Sequence, residues 1–275
     1  MDRIRRIQSQ GDLTELTESY NYEGDDDESL STFFSYHDDE YNAYVGSASR
    51  RKWDLTVDDF NNLLQRVPDE HIYPEPPRHF TPAPECLDGY HVKLISLSSY
   101  ENPKDSGVIP NVILDEVAAL EMVSATPHPN IAKYNGCIVK RGRLVGIVLE
   151  RYASTLEDRV EDSRPFDKKL LLDRVKSAID HVHLLGLAHN DINPANIMLD
   201  ENDTAFPIDI GSCKPVGEDL VSGGTPGWID EASKYHLSQQ SNDLYAFSKM
   251  QEWIENLMHD AEAIAYMKSG EERFL

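Results

Sequence analysis

Asp191, Asn196 and Asp209 are the residues of this chain whose types and spacing best suit chemistry. The first two sit five apart in "LAHNDINPANIMLD" (residues 187–200), and the third follows thirteen residues later in "PIDIGS". The intervening "NIMLDENDTAFPIDI" reads as a short hairpin whose ends come together. Two carboxylates and a carboxamide gathered there offer hard oxygen ligands for Mg²⁺, an ion that completes its shell with substrate phosphates. One carboxylate remains to orient or deprotonate a hydroxyl. The set outlines phosphoryl transfer.

These groups need elements to hold them. "FDKKLLLDRVKSAIDHVHLLG" predicts a long amphipathic helix with Leu171, Val175, Ala178, Ile179, Val182 and Leu185 inward, ended by Gly186. "SNDLYAFSKMQEWIENLMHD" predicts a second helix with one broad apolar face. Upstream, "GYHVKLISLS" reads as a strand and "NVILDEVAALEMV" as a helix on which Glu116 and Leu120 share a face. "IAKYNGCIVKRGRLVGIVLERY" reads as two strands about a turn at Arg141-Gly142. Earlier, Thr56 caps a helix with Asp59 three residues on, Phe60, Leu63, Leu64 and Val67 form one face, and Pro68 ends it. The five prolines after Tyr73 make an extended connection that cannot be a central strand. Residues 1–50, with acidic clusters and no sustained period, are expected to form a disordered acidic arm.

Composition bounds the partners. The formal charge is −23 over 275 residues, so a polyanionic nucleic acid is a poor partner. The acidity reads first as a solubility device and second as a groove suited to basic peptides. No apolar run approaches the roughly 18–20 residues of a membrane span, and "MDRIRRIQSQ" opens no secretory signal. Cys86, Cys137 and Cys213 are far apart and without a CxxC, which favours a reducing cytoplasmic or nuclear setting over disulfides or structural zinc. His181 and His183 are expected on a helix surface, with no ligand spacing around them.

Six segments in order resemble the protein kinase family, over about residues 60–257. "HNDINPANIML" resembles the catalytic loop H-R-D-x-x-x-x-N and "DIG" resembles D-F-G. "HVKLI" is similar to the V-A-I-K strand, Glu116 to its helix partner, and "HPNIAKYNGC" to the turn after that helix. "GGTPGWIDE" resembles the end of an activation segment, and Asp243 falls where the family starts a buried helix with Asp. The chain is similar to divergent fungal protein-kinase-like proteins. The resemblance implies an α+β, bilobal protein-kinase-like fold, with a small β-rich N-lobe carrying one helix and a shortened helical C-lobe. The expected organisation is a disordered arm over 1–50, a helix and Pro-rich lead-in over 51–78, an N-lobe over 79–150, a minimal C-lobe over 151–260 and a tail over 261–275.

It also implies ATP and Mg²⁺ as cofactors and a protein Ser/Thr hydroxyl as acceptor. By resemblance, Lys93 would hold the α/β-phosphates and Glu116 would fix Lys93. Asp191 would accept the hydroxyl proton, and Asn196 and Asp209 would bind metal. Glu150 and Tyr152 would flank adenine through backbone groups. His189, Leu120 and Ile210 would stack as an apolar column, and Asp243 would tie the catalytic loop to the helical lobe.

The pattern also departs from the family. Gly89 is the only glycine between Val67 and Lys93, so no Gly-rich loop cradles phosphates. His91 replaces the V-A-I-K Ala, Asn190 the H-R-D Arg, Asn193 the Lys after the catalytic Asp, and Ile210 the Phe of D-F-G. "SATP" lengthens the turn after the Glu116 helix, and Glu231 is expected to lack its usual Arg partner. Asn190 and the short run from Asp209 to Thr225 suggest catalysis without an activation-loop phosphate. Two other functions compete with a protein kinase. One is a pseudokinase scaffold, favoured by the missing glycines and His91. The other is a small-molecule phosphotransferase, whose H-x-D-x-x-x-x-N motif is shared but which lacks the "HPNI" and "GTPGW" features.

Overall fold

The computed structural model describes residues 7–22, 28–100, 108–162, 164–220, 224–231 and 235–271. The chain divides into two compact units, one of Met1–Leu114 with Asn135–Val148, the other of Asp115–Tyr134 with Leu149–Leu275.

The first unit opens with an antiparallel meander of β1 (Glu15–Tyr22), β2 (Glu28–His37) and β3 (Ala43–Ala48). Leu16 pairs with Phe34 and Phe34 with Gly46, and β4 (Gln65–Arg66) closes the sheet against β3. Between β3 and β4, helix α1 (Val57–Leu63) starts on the expected box: Thr56 Oγ1 accepts Asp59 N–H (3.1 Å) and Asp59 Oδ2 accepts Thr56 N–H (2.9 Å). Phe60 from this helix meets Phe34 edge to face at 4.8 Å, inside a core with Ile7, Tyr44, Leu55 and Leu64. Gly46 lets the Phe34 ring pass, since a Cβ there would collide with it.

Over the described residues 7–22 and 28–50, this sheet corrects the disordered arm expected over residues 1–50; the rest of that arm lies outside the described residues. The buried positions of β2 are Thr32, Phe34, Ser35 and His37, mostly polar, so hydropathy shows no strand period. Thr32 Oγ1 donates to Arg50 O (2.6 Å) and Ser35 Oγ to Glu15 Oε2 (2.7 Å), which lets these side chains stay buried. Helix α1 also stops earlier than expected. It ends at Leu63, and the next residues pair with β3 instead of running helical to Pro68.

After a short helix α2 (Asp69–Ile72), the Pro-rich stretch runs at a sheet edge. Pro74 O accepts Leu144 N–H (3.0 Å), and Thr81 and Ala83 bond Cys137 around a bridge at Pro82. The sheet beside it orders β5 (Tyr90–Leu94), β7 (Arg143–Glu150) and β6 (Tyr134–Lys140) as β5-β7-β6. Arg141, in the turn between β6 and β7, donates to Asp69 Oδ2 (2.6 Å) and to the carbonyls of Glu40 (2.6 Å) and Tyr41 (3.2 Å). Glu15 accepts Ser96 Oγ (2.6 Å) and Leu97 N–H (2.9 Å). The N-terminal meander is thereby fastened to the second sheet.

Helix α3 (Val108–Ser124) carries the chain into the second unit. There follow β8 (Ser154–Thr155), α4 (Leu156–Glu161), α5 (Lys168–Leu184), β9 (Leu187–Ala188), β10 (Ile197–Leu199), β11 (Ala205–Pro207), β12 (Lys214–Pro215) and α6 (Gln240–Glu271). Asp167 caps α5 by accepting Leu170 N–H (2.9 Å), and Gly186, at φ 77°, ends the turn after it. The inward stripe Leu171, Val175, Ala178, Ile179 and Val182 is buried as the period predicts. Each larger member contributes about 1.5–3 kcal/mol. Leu171, Val175 and Ile179 pack in one core with Ile192, Ile197, Leu199, Phe247, Met250 and Ile254. Residues 261–271 continue α6 rather than forming the separate tail expected from residue 261.

Candidate active site

Two short pairings position the chemistry. β9 pairs with β12 (Ala188 with Lys214), and β10 pairs with β11 (Ile197 with Pro207). Ile208 N–H donates to Asn196 O at 2.9 Å, so Asp209 follows directly after the residue across from Asn196. The hairpin does what its sequence implied.

Asp191 is held entirely by neutral donors. Its Oδ1 accepts Thr225 N–H (2.8 Å), Thr225 Oγ1 (2.8 Å) and Asn193 Nδ2 (3.2 Å), and its Oδ2 accepts Asn196 Nδ2 (2.9 Å). Asn193, where a Lys was expected, turns into the loop. Its Oδ1 caps the 3-10 turn Pro194–Asn196 through Ala195 and Asn196 N–H. Asn196 Nδ2 is spent on Asp191 O and Oδ2, both at 2.9 Å, and no donor reaches its Oδ1 among the described residues. That amide oxygen, on the residue whose carbonyl accepts Ile208 N–H, and the Asp209 carboxylate are hard oxygen ligands of the kind Mg²⁺ prefers.

Asn190 and Asp209 both adopt left-handed backbone, at φ 64° and 60°. Such conformations cost about 1–3 kcal/mol and persist where surroundings enforce them. Asp243, fully buried at the start of α6, accepts His189 N–H (2.8 Å), Asn190 N–H (2.7 Å) and His183 Nε2 (2.7 Å). His183 is therefore not the surface residue expected from helix position alone. Asn190 Nδ2 donates to Ala188 O (2.8 Å), Ser212 O (3.2 Å) and Ser238 Oγ (3.0 Å). Its Oδ1 accepts Asn242 Nδ2 (3.0 Å) and Gln239 N–H (3.3 Å), and its carbonyl accepts the Tyr235 hydroxyl.

The other expected residues fall as follows. Glu116 is buried on α3, and a Cβ on Gly211 would lie 3.1 Å from its Oε2 and 3.5 Å from Asp209 Oδ1, so these groups converge. His189, Leu120 and Ile210 are all buried. Lys93 lies half-buried on β5, in the first unit, and His91 beside it is exposed. Glu150 N–H is already taken by Lys133 O (2.9 Å). The Tyr152 ring stacks on Phe206 at 4.4 Å and its hydroxyl accepts Lys133 N–H (3.2 Å). Cys213 is buried, and burial first, then the negative charges of Asp243, Asp209 and Glu116, pushes its thiol up, so it is an inert thiol.

The protein kinase domain family matches residues 87–246, more than half of the chain. The chain belongs to the protein kinase family. It is 30% identical over 145 residues to the Arabidopsis thaliana LEAF RUST 10 disease-resistance locus receptor-like protein kinase-like 1.2, covering 47% of this chain and 22% of that protein. It is 30% identical over 127 residues to the serine/threonine-protein kinase SKS1 of Saccharomyces cerevisiae, covering 43% and 25%. The match to the serine/threonine-protein kinase/endoribonuclease IRE1 of Hypocrea jecorina is 32% over 123 residues, covering 37% and 10%. The chain thus spans at most about a quarter of the length of these relatives.

Within this kinase, Thr225 is the contact that sequence reasoning did not single out. The "GTPGW" string resembles the end of an activation segment, and the structure puts the Thr225 N–H and hydroxyl on the Asp191 carboxylate. Glu231 is exposed. Among the described residues no helix is long and apolar enough to cross a membrane.

Proposed function

We propose that this kinase moves the γ-phosphoryl of ATP to a protein Ser or Thr hydroxyl. The observation that carries the reading is Asp191, fixed by Thr225, Asn193 and Asn196 with the Asn196 Oδ1 left for a cation. Asp191 accepts the hydroxyl proton, a step that contributes about 10²–10⁴ in rate. Asn196 and Asp209 would hold Mg²⁺, which when bound neutralises phosphate charge. By the family resemblance, Lys93 would bind the α/β-phosphates with Glu116 as its partner, and the backbone at Glu150 and Tyr152 would meet adenine. The net charge of −23 supports a basic protein substrate, and the three widely spaced cysteines a cytoplasmic or nuclear setting. Neutral donors hold Asp191, and the resident Asp243 carboxylate with neutral side chains fixes Asn190, which supports activity without an activation-segment phosphate.

Two observations favour a nucleotide-poor scaffold instead: Gly89 is the only glycine between Val67 and Lys93, and a Pro82 bridge occupies the edge beside β6. The two readings part on nucleotide binding. ATP at 100 times its Kd stabilises a protein by about 2.7 kcal/mol, so the kinase reading predicts a rise in unfolding temperature with ATP and Mg²⁺ that chelation removes. No shift at millimolar ATP, with or without Mg²⁺, selects the scaffold.

A further inference from the structure

Lys214 sits on β12, five residues after Asp209, with its side chain mostly buried (14% exposed). Its Nζ lies 2.8 Å from Asp115 Oδ2, and Asp115 immediately precedes Glu116 on α3. The Lys214 carbonyl accepts Ser238 Oγ (2.9 Å), and that hydroxyl accepts Asn190 Nδ2 (3.0 Å). Ser238 is fully buried, so no solvent competes for its bonds. One continuous path therefore runs from the residue before Asp191, through the segment that follows Asp209, to the residue before Glu116.

Activation segments are commonly ordered by adding a phosphate that pairs with cations. Here a resident carboxylate already occupies the cation. Gly211 reinforces the arrangement, because its missing side chain lets Glu116 approach the same segment. The geometry points to Lys214 as a positioning residue: its pair with Asp115 clamps the Glu116 turn of α3 to the activation segment, so the active arrangement is set without modification. The inference rests on the kinase reading for its consequence in catalysis, and on the Lys214–Asp115 geometry for the clamp itself.

Asp115 is half exposed while Lys214 is mostly buried, so the unfolding temperature is read beside the rate to separate folding from positioning. The experiment compares the full chain as wild type, Lys214→Glu, Asp115→Lys, the double swap and Lys214→Arg. It reads phosphoryl transfer, unfolding temperature, and amide hydrogen exchange of α3 from Glu116 to Leu120. Each single reversal should lower kcat/KM by about 5- to 10-fold, within the range of coupling between sites. The swap and Lys214→Arg should return it to within about twofold of wild type, with α3 exchange following the same order. Single variants that match wild type in both rate and exchange overturn the clamp while leaving the kinase reading intact. If the wild type transfers no phosphoryl, the kinase reading fails and exchange alone decides. Faster α3 exchange in the singles, reversed in the swap, upholds the clamp, and unchanged exchange overturns it.

Discussion

Replacing Asp243 with Ala should unfold the second unit far more readily, and the structure sets the size of the effect. The carboxylate is fully buried and accepts three hydrogen bonds of 2.7–2.8 Å, from His189 N–H, Asn190 N–H and His183 Nε2. Alanine leaves two buried backbone donors and one imidazole without a partner. At about 1–3 kcal/mol for each of the three stranded groups, the loss is about 3–9 kcal/mol. Asn190 also loses the bond that holds its φ of 64°, so the loop before Asp191 can relax. Because domains are stable by only about 5–15 kcal/mol, much of the reserve disappears. Asp243→Asn keeps one acceptor but turns an amide donor towards a donor, and should cost about 2 kcal/mol. Urea unfolding followed by tryptophan fluorescence reads this directly, since Trp228 meets Trp253 of α6 edge to face at 6.0 Å, both packed on the core of the second unit. A change under about 1 kcal/mol for Asp243→Ala would refute the reasoning, because stranded buried donors could not then be so cheap.

Two further outcomes follow from named groups. Burial holds the His37 imidazole down to about 4 against the opposing pull of Glu15 and Asp38, and its Nε2 has no hydrogen-bond partner. Between pH 6.5 and 4 the unfolded chain binds a proton that the folded chain refuses, so stability falls as pH drops through that window, by up to about 3 kcal/mol. Urea midpoints at pH 7.5 and 5 should differ in wild type and differ less in His37→Phe; equal pH slopes would contradict the assignment. Gly211→Ala would place a Cβ 3.1 Å from Glu116 Oε2, displacing that carboxylate by a few tenths of an ångström. Phosphoryl transfer should drop about 10-fold, since misplacement by about 1 Å costs about 100-fold, while the unfolding temperature holds; an unchanged rate would show that Glu116 tolerates the shift.

The parts legible in the sequence were those in which local chemistry and burial agree. The α5 stripe from Leu171 to Val182, the Thr56–Asp59 cap and the hairpin between Asn196 and Asp209 all follow from spacing alone. The N-terminal sheet was illegible because its buried residues include Thr32, Ser35 and His37, which are kept inside by hydrogen bonds and not by hydropathy. His183 was misplaced for a related reason: its partner Asp243 lies 60 residues away, beyond any helical period. Thr225 became visible as a site residue only once the fold laid it across Asp191, 34 residues earlier.

The most direct test of the account is transfer of a labelled γ-phosphoryl from ATP to Ser- and Thr-containing basic peptides, by wild type and Asp191→Asn, with Mg²⁺ and with chelator. The account predicts Mg²⁺-dependent transfer by wild type that falls about 10²- to 10⁴-fold in the variant. Equal rates for the two proteins, or transfer that survives chelation, would contradict it.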